Sequence, residues 1–206
     1  MEYAGALHTM HTAWKTGEAF TFDICTYMTS SVAANLCASR SIKRSVETYQ
    51  ANIESIAESV QGALKDKVIK VSKACLEFVE HKVYNEEGYA GTWEYYWVAR
   101  SLNRQLERFV ELLQSVLQKK YELEVFVGYE KIEREFNAVY KHYIIESKEN
   151  EYPEEESIST SHRLWIVYRD SAAECLSALD PRISIVEWKT VFTKTRIRQL
   201  QWGEVK

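Results

Sequence analysis

Residues 40–84 read RSIKRSVETYQANIESIAESVQGALKDKVIKVSKACLEFVEHKVY. Apolar side chains fall at Ile42, Val46, Tyr49, Ile53, Ile56, Val60, Leu64, Val68, Val71, Cys75, Phe78 and Val79. The steps are mostly three and four, which sets them on one helical face. Gly62 is the residue that bends or divides the run.

The same spacing recurs on either side. Residues 20–36 are apolar enough for a preceding helix, although Thr and Ser weaken it. A further face runs from Trp93 through Tyr96, Trp97, Leu102, Leu106, Phe109, Leu113 and Leu117, after a polar turn at residues 85–91. Another carries Ile132, Phe136, Val139, Tyr140, Tyr143 and Ile144. Residues 159–161, Ser-Thr-Ser, are candidate N-caps for a helix through Leu164, Val167, Tyr168, Cys175 and Leu179, which Asp180 and Pro181 stop. In the tail, residues 183–192 alternate well enough for a strand or a buried irregular segment. The chain is expected to be all-α: an antiparallel four-helix bundle core with an extra helical hairpin and an acidic inner loop, in one domain spanning residues 1–206.

Composition narrows the function. With 7 Gly and 2 Pro in 206 residues there are few breaks, and a chain of this length buries a core without metals or cross-links. The four cysteines, Cys25, Cys37, Cys75 and Cys175, show no metal-ligand spacing, which favours reduced thiols and a reducing compartment. The first residues lack the charge-then-apolar pattern of a secretion signal, and no apolar run is long enough to span a bilayer. No phosphate loop, nucleophile elbow, HExxH or calcium loop is present, and His8 and His11 have no ligand companions. An enzyme is not expected. The net charge of −4 requires any nucleic-acid contact to be a local basic strip.

One segment stands apart. Residues 146–157 hold six glutamates, and residues 119–157 together hold six basic and eleven acidic side chains. The candidate carboxylate cluster is Glu122, Glu124, Glu149, Glu151, Glu154, Glu155 and Glu156.

The order of several short motifs resembles the coat proteins of rod-shaped plant viruses of the tobacco mosaic virus type. These are TAWK at 12–15, FDICT at 22–26, ASRSIKRSVETY at 38–49, YWVA at 96–99 with the basic pair Lys119 and Lys120 beyond it, IVYRDSAA at 166–173, and a tail with Phe192 and Trp202. Where that family has Glu after the tail Phe, this chain has Thr193, and Gln118 stands near the place of an acidic partner for Arg169. The stretches 50–92 and 121–157 exceed the family's connections. The resemblance implies a capsid subunit of the virion and the host cytoplasm. Its partners would be copies of itself in a helical array and single-stranded RNA, with no membrane.

Such a coat holds RNA without regard to sequence, through cations on phosphates and flat side chains on bases. The candidate cations are Arg40, Lys43, Arg44, Lys119, Lys120, Arg163 and Arg169, with backbone donors at helix N-termini near Ser39 and residues 159–161. By the resemblance, residues 121–157 lie at the inner radius, where crowded carboxylates would destabilise the rod at raised pH. No cofactor is expected beyond Ca²⁺ as a candidate ligand of that cluster. A non-viral adaptor or scaffold, binding a partner helix along the face from Ile42 to Val79, is the alternative.

Overall fold

The computed structural model describes residues 2–16, 25, 30–87, 89, 91, 93–122, 128–150 and 153–202. They form α1 (Glu2–Thr16), α2 (Ser31–Ser59), α3 (Ala63–Asn85), α4 (Glu94–Leu117), α5 (Tyr129–Glu149), α6 (Glu155–Leu179) and α7 (Ile185–Trp202), with no strand among the described residues. The all-α expectation holds.

Gly62 divides the long apolar run. Its φ of 60° and ψ of −142° lie where an L side chain is strongly disfavoured, so the chain reverses between α2 and α3. The two helices then pack as a hairpin, and the Tyr49 hydroxyl donates to the Ser72 carbonyl at 2.9 Å. The face from Ile53 to Val79 is therefore interior, and a partner helix could reach it only by opening the fold.

From α2 to α7 consecutive helices alternate in direction. Ion pairs fix this sense between α5 and α6 (Glu133 to Arg169, Lys148 to Glu155), between α6 and α7 (Asp170 to Lys189) and across α3 and α6 (Lys70 to Glu174). Two of the closest pairings, α2 with α4 and α5 with α7, are consequently parallel. α3 and α6 form the seam. Val68, Val71, Cys75 and Phe78 from one meet Trp165, Ala172, Cys175 and Leu176 from the other in a single buried core. The described side chains of α1, an element that spacing did not predict, are all exposed.

Several expectations are corrected. The tail is neither strand nor irregular: α7 buries Trp188, Phe192, Arg196 and Leu200 at steps of four, a stripe that short-range alternation hid. α6 begins at Glu155, so Ser161 is buried inside the helix, sharing a hydrogen bond of 2.9 Å with His81 Nδ1, and residues 159–161 cap nothing. Ser39 likewise sits within α2, not at its start. The acidic loop shrinks, because Glu146 and Glu149 belong to α5, while Glu155 and Glu156 form the first turn of α6, where its dipole favours them. Cys25 and Cys37 form a disulfide, which removes the premise of four reduced thiols; only Cys75 and Cys175 are free, and both are buried. Of the 20–36 segment, residues 20–24 and 26–29 lie outside the described residues.

Candidate nucleic-acid interface

The parallel packing of α2 on α4 leaves a groove of about 1070 Å³ at the end that carries their N-termini. Its origin is in the sequence: α2 presents Ala34, Ala38, Ser41 and Ser45 there, side chains too small to fill the space beside α4. Arg40, Arg44 and Thr48, one turn apart, line the α2 wall.

Trp93, Tyr96, Trp97 and Arg100 line the opposite wall. Trp93 and Trp97 are each 40% exposed, a large apolar surface to leave in water. Tyr96 meets both indoles edge-on, at centroid distances of 5.5 and 5.2 Å, so the three rings brace one another. The Arg100 guanidinium lies 5.6 Å from the Trp97 ring centroid, a cation–π contact that holds the charge at the rim. Glu107 closes the other end. Three arginines and three aromatic rings on facing helices form the combination that single strands require, cations for phosphates and flat faces for bases.

The cations picked from sequence are dispersed. Arg40 and Arg44 belong to the groove, and Lys43 points elsewhere, 3.8 Å from Glu47 with both side chains exposed. Lys119 and Lys120 are exposed just beyond the far end of α4, about 18 Å by helix rise past Glu107, the last α4 residue that lines the groove. There they close the helix, with Lys120 N–H donating to Ser115 O at 2.8 Å and Lys119 N–H to Val116 O at 3.0 Å. Lys119 takes the left-handed φ of 56° that this ending demands. Arg163 is exposed on α6, its Nη2 donating to Thr160 Oγ1 at 2.9 Å.

Arg169 is buried and engaged, 2.8 Å from both Glu133 and Asp170, with its guanidinium 4.8 Å from the Trp165 ring centroid. Burial opposes its charge, yet Asp170, Tyr129 and Glu133 outweigh this and raise its pKa. Its charge is already paired within the fold by Glu133 and Asp170.

The carboxylate cluster is also split. Glu122 follows α4 at one end of the bundle, whereas Glu149, Glu154, Glu155 and Glu156 surround the α5–α6 turn at the other, where Glu155 pairs with Lys148 at 2.9 Å. Glu124 and Glu151 lie outside the described residues. Among the described residues no group of three or more His, Cys, Asp or Glu could hold a metal ion. No helix there is long and apolar enough to cross a membrane.

Beneath the groove the interior is polar in one place. Lys82 Nζ lies 2.7 Å from Glu87 Oε1 and donates to Gln105 Oε1 at 3.0 Å. Gln105 Nε2 in turn donates to Glu87 at 2.9 Å, and Ser101 Oγ donates to Glu87 Oε2 at 2.6 Å. Burial pushes the Glu87 carboxyl up, but Lys82 and the donors around it prevail and its pKa falls. This network ties the end of α3 to α4 just behind the Trp-rich turn.

The chain matches no protein-family model, no curated protein sequence and no solved structure.

Proposed function

We propose that the chain is a coat subunit that holds single-stranded RNA, without sequence preference, in the groove between α2 and α4. The observation that carries the reading is the exposed Trp93–Tyr96–Trp97 cluster, with Arg100 beside it, facing Arg40 and Arg44. Stacking accepts any base and arginine accepts any phosphate, so such a groove tracks a backbone and ignores sequence. The motif order that resembles rod-shaped virus coats supplies the assembly half of the proposal, since a covering protein must repeat along the strand.

Exposed apolar side chains away from the groove offer contacts between subunits: Tyr84 and Tyr95 beside the Trp-rich turn, Val167 on α6, and Ile185 and Val186 opening α7. These patches stand on four different helices, and a contact that joins unlike patches would be heterologous and generate an open helical array. On this reading α2, α3, α4 and α6 form the four-helix core, and α5 with α7 is the added pair. The carboxylates crowd between subunits and not within one, and calcium, if it acts, bridges copies at the α5–α6 turn. The adaptor alternative loses its surface, because its face is core.

Negative-stain microscopy at about pH 5 and about pH 8, with and without a chelator, tests assembly, and the 260-to-280 nm absorbance ratio tests for RNA. Rods or stacked discs that loosen at the higher pH are expected. Small particles under every condition, free of nucleic acid, would overturn the proposal.

A further inference from the structure

On the other side of α4, a second cavity opens between α4 and α7, above the α3–α6 seam, with a volume of about 170 Å³. Five aromatic side chains, Phe78, Phe109, Trp165, Tyr168 and Phe192, line it. An apolar cavity of about 150 Å³ accepts a benzene-sized guest, so the space suits one six-membered ring.

Arg196 also lines this cavity, and it is 1% exposed. Its Nη2 lies 2.6 Å from Glu86 Oε2, and its guanidinium is 5.3 Å from the Phe78 ring centroid. Among the described residues Nε and Nη1 have no hydrogen-bond partner. Two buried donors on a cationic group cost stability unless something accepts from them.

The charge around the site decides what kind of acceptor fits. Glu86 already neutralises Arg196, Glu87 neutralises the neighbouring buried Lys82, and Arg108, the other cation that lines the cavity, is exposed to solvent on α4. An anion brought into this low-dielectric interior would add one uncompensated charge, whereas a neutral carbonyl satisfies the donors without one. We propose that the cavity is a binding site for a neutral single-ring ligand that carries a carbonyl acceptor, such as an aromatic amide or lactam. The ring lies among Phe78, Phe109 and Tyr168, and the carbonyl accepts from Arg196. The site is separate from the α2–α4 groove and independent of whether that groove holds RNA.

Ligand-detected NMR titrations of the intact chain with benzamide, benzoate and toluene test this. Benzamide is expected to bind saturably, with toluene weaker by about tenfold or more because it offers no acceptor to a charged donor. Benzoate should also bind more weakly than benzamide. Thr195 is exposed at the cavity mouth and its hydroxyl bonds only to Val191 O among the contacts of its own helix, so Thr195→Trp should close the entrance and abolish benzamide binding while the Arg196–Glu86 pair stays intact. No saturable benzamide binding, toluene binding as tightly, or benzoate binding at least as tightly would each overturn the assignment. Retention of benzamide affinity in the folded Thr195→Trp variant would do the same, and the wild-type comparisons stand even if that variant does not fold.

Discussion

If the α2–α4 groove carries the strand, its salt dependence is set by a small number of cations. Arg40, Arg44 and Arg100 line it. For single strands each neutralised phosphate contributes about 0.7 to the log–log salt slope, so three engaged arginines give a slope near −2 and a loss of about 18-fold in affinity between about 50 and about 200 mM salt. Replacing Arg40 and Arg44 with Gln leaves Arg100, and the same change in salt should then cost only about 2.6-fold. Trp97→Ala removes a stacking face and the platform under Arg100, and should weaken binding by about 1–3 kcal/mol at any salt. The assay is fluorescence anisotropy of labelled oligonucleotides, one of a single base and one of mixed sequence, across a salt series. Lys119→Gln with Lys120→Gln is the control, because those side chains lie at the opposite end of α4. An unchanged slope in Arg40→Gln/Arg44→Gln, or an equal change in the Lys119/Lys120 variant, would refute the groove as the strand's path.

The buried network behind the groove gives a stability prediction: Lys82→Met leaves Glu87 without its partner and should cost about 3–5 kcal/mol in urea denaturation, while Lys82→Arg should recover part of it. Lys119 is a lysine in a left-handed position, so Lys119→Gly should stabilise the chain by about 1 kcal/mol, read from the same curves. His162 is stacked on Tyr140 at 4.3 Å and lies near Phe136 and Trp165; burial, with Arg196 and Arg169 nearby, lowers its pKa to about 4. Unfolded chains therefore take up a proton between about 6.5 and about 4 that the folded chain does not, and stability should fall as pH drops through that window. His162→Phe keeps the stack and should flatten that stretch of the pH–stability profile; an unaltered profile would show that His162 is not its source.

Much of the bundle was legible because helical spacing reports which side of a segment is apolar. α4 is the clearest case: Leu102, Leu106, Phe109 and Leu113 were all placed on one face, and all are buried. Spacing does not report which neighbour covers a face. Residues 40–84 read as one long helix or two, and only the backbone at Gly62 settles that they fold back on themselves. The groove was half visible, since Arg40 and Arg44 were chosen from sequence, but whether Trp93 and Trp97 lay inside or outside depends on the small side chains of α2 opposite them. Arg100 was missed, although it follows Trp97 by three residues and so shares its face. Arg169 was picked as a phosphate ligand because an arginine's sequence neighbours do not reveal Glu133, which comes from another helix. The Cys25–Cys37 pairing was invisible for the same reason, since the spacing of two cysteines does not report whether they meet in space.

The pH behaviour separates the subunit from the proposed array, because the two respond with opposite signs. Within one chain, Glu87 and Asp170 have lowered pKa values, burial pushing each up while Lys82 in the first case, Arg169 and Lys189 in the second, more than offset it. A carboxylate with a depressed folded pKa contributes stability above its unfolded value, and that contribution is lost as pH falls through the folded one. His162 acts in the same direction at higher pH. Acid therefore loosens the subunit. Carboxylates brought together between subunits do the reverse, since crowding raises their pKa and protonation then favours contact. The combination predicts an array with an optimum: assembly strengthens as pH falls from about 8 toward about 5, then fails as the subunits themselves unfold near and below the ordinary carboxylate range of about 4. Light scattering across that range, with circular dichroism on the same samples, distinguishes the two limbs. Loss of scattering above about pH 6 with helicity retained marks the interface carboxylates, and loss of both at low pH marks His162, Glu87 and Asp170. Scattering that rises monotonically with pH would show that inter-subunit carboxylate repulsion does not govern assembly, and the glutamates of the α5–α6 turn would then be a solvated helix end.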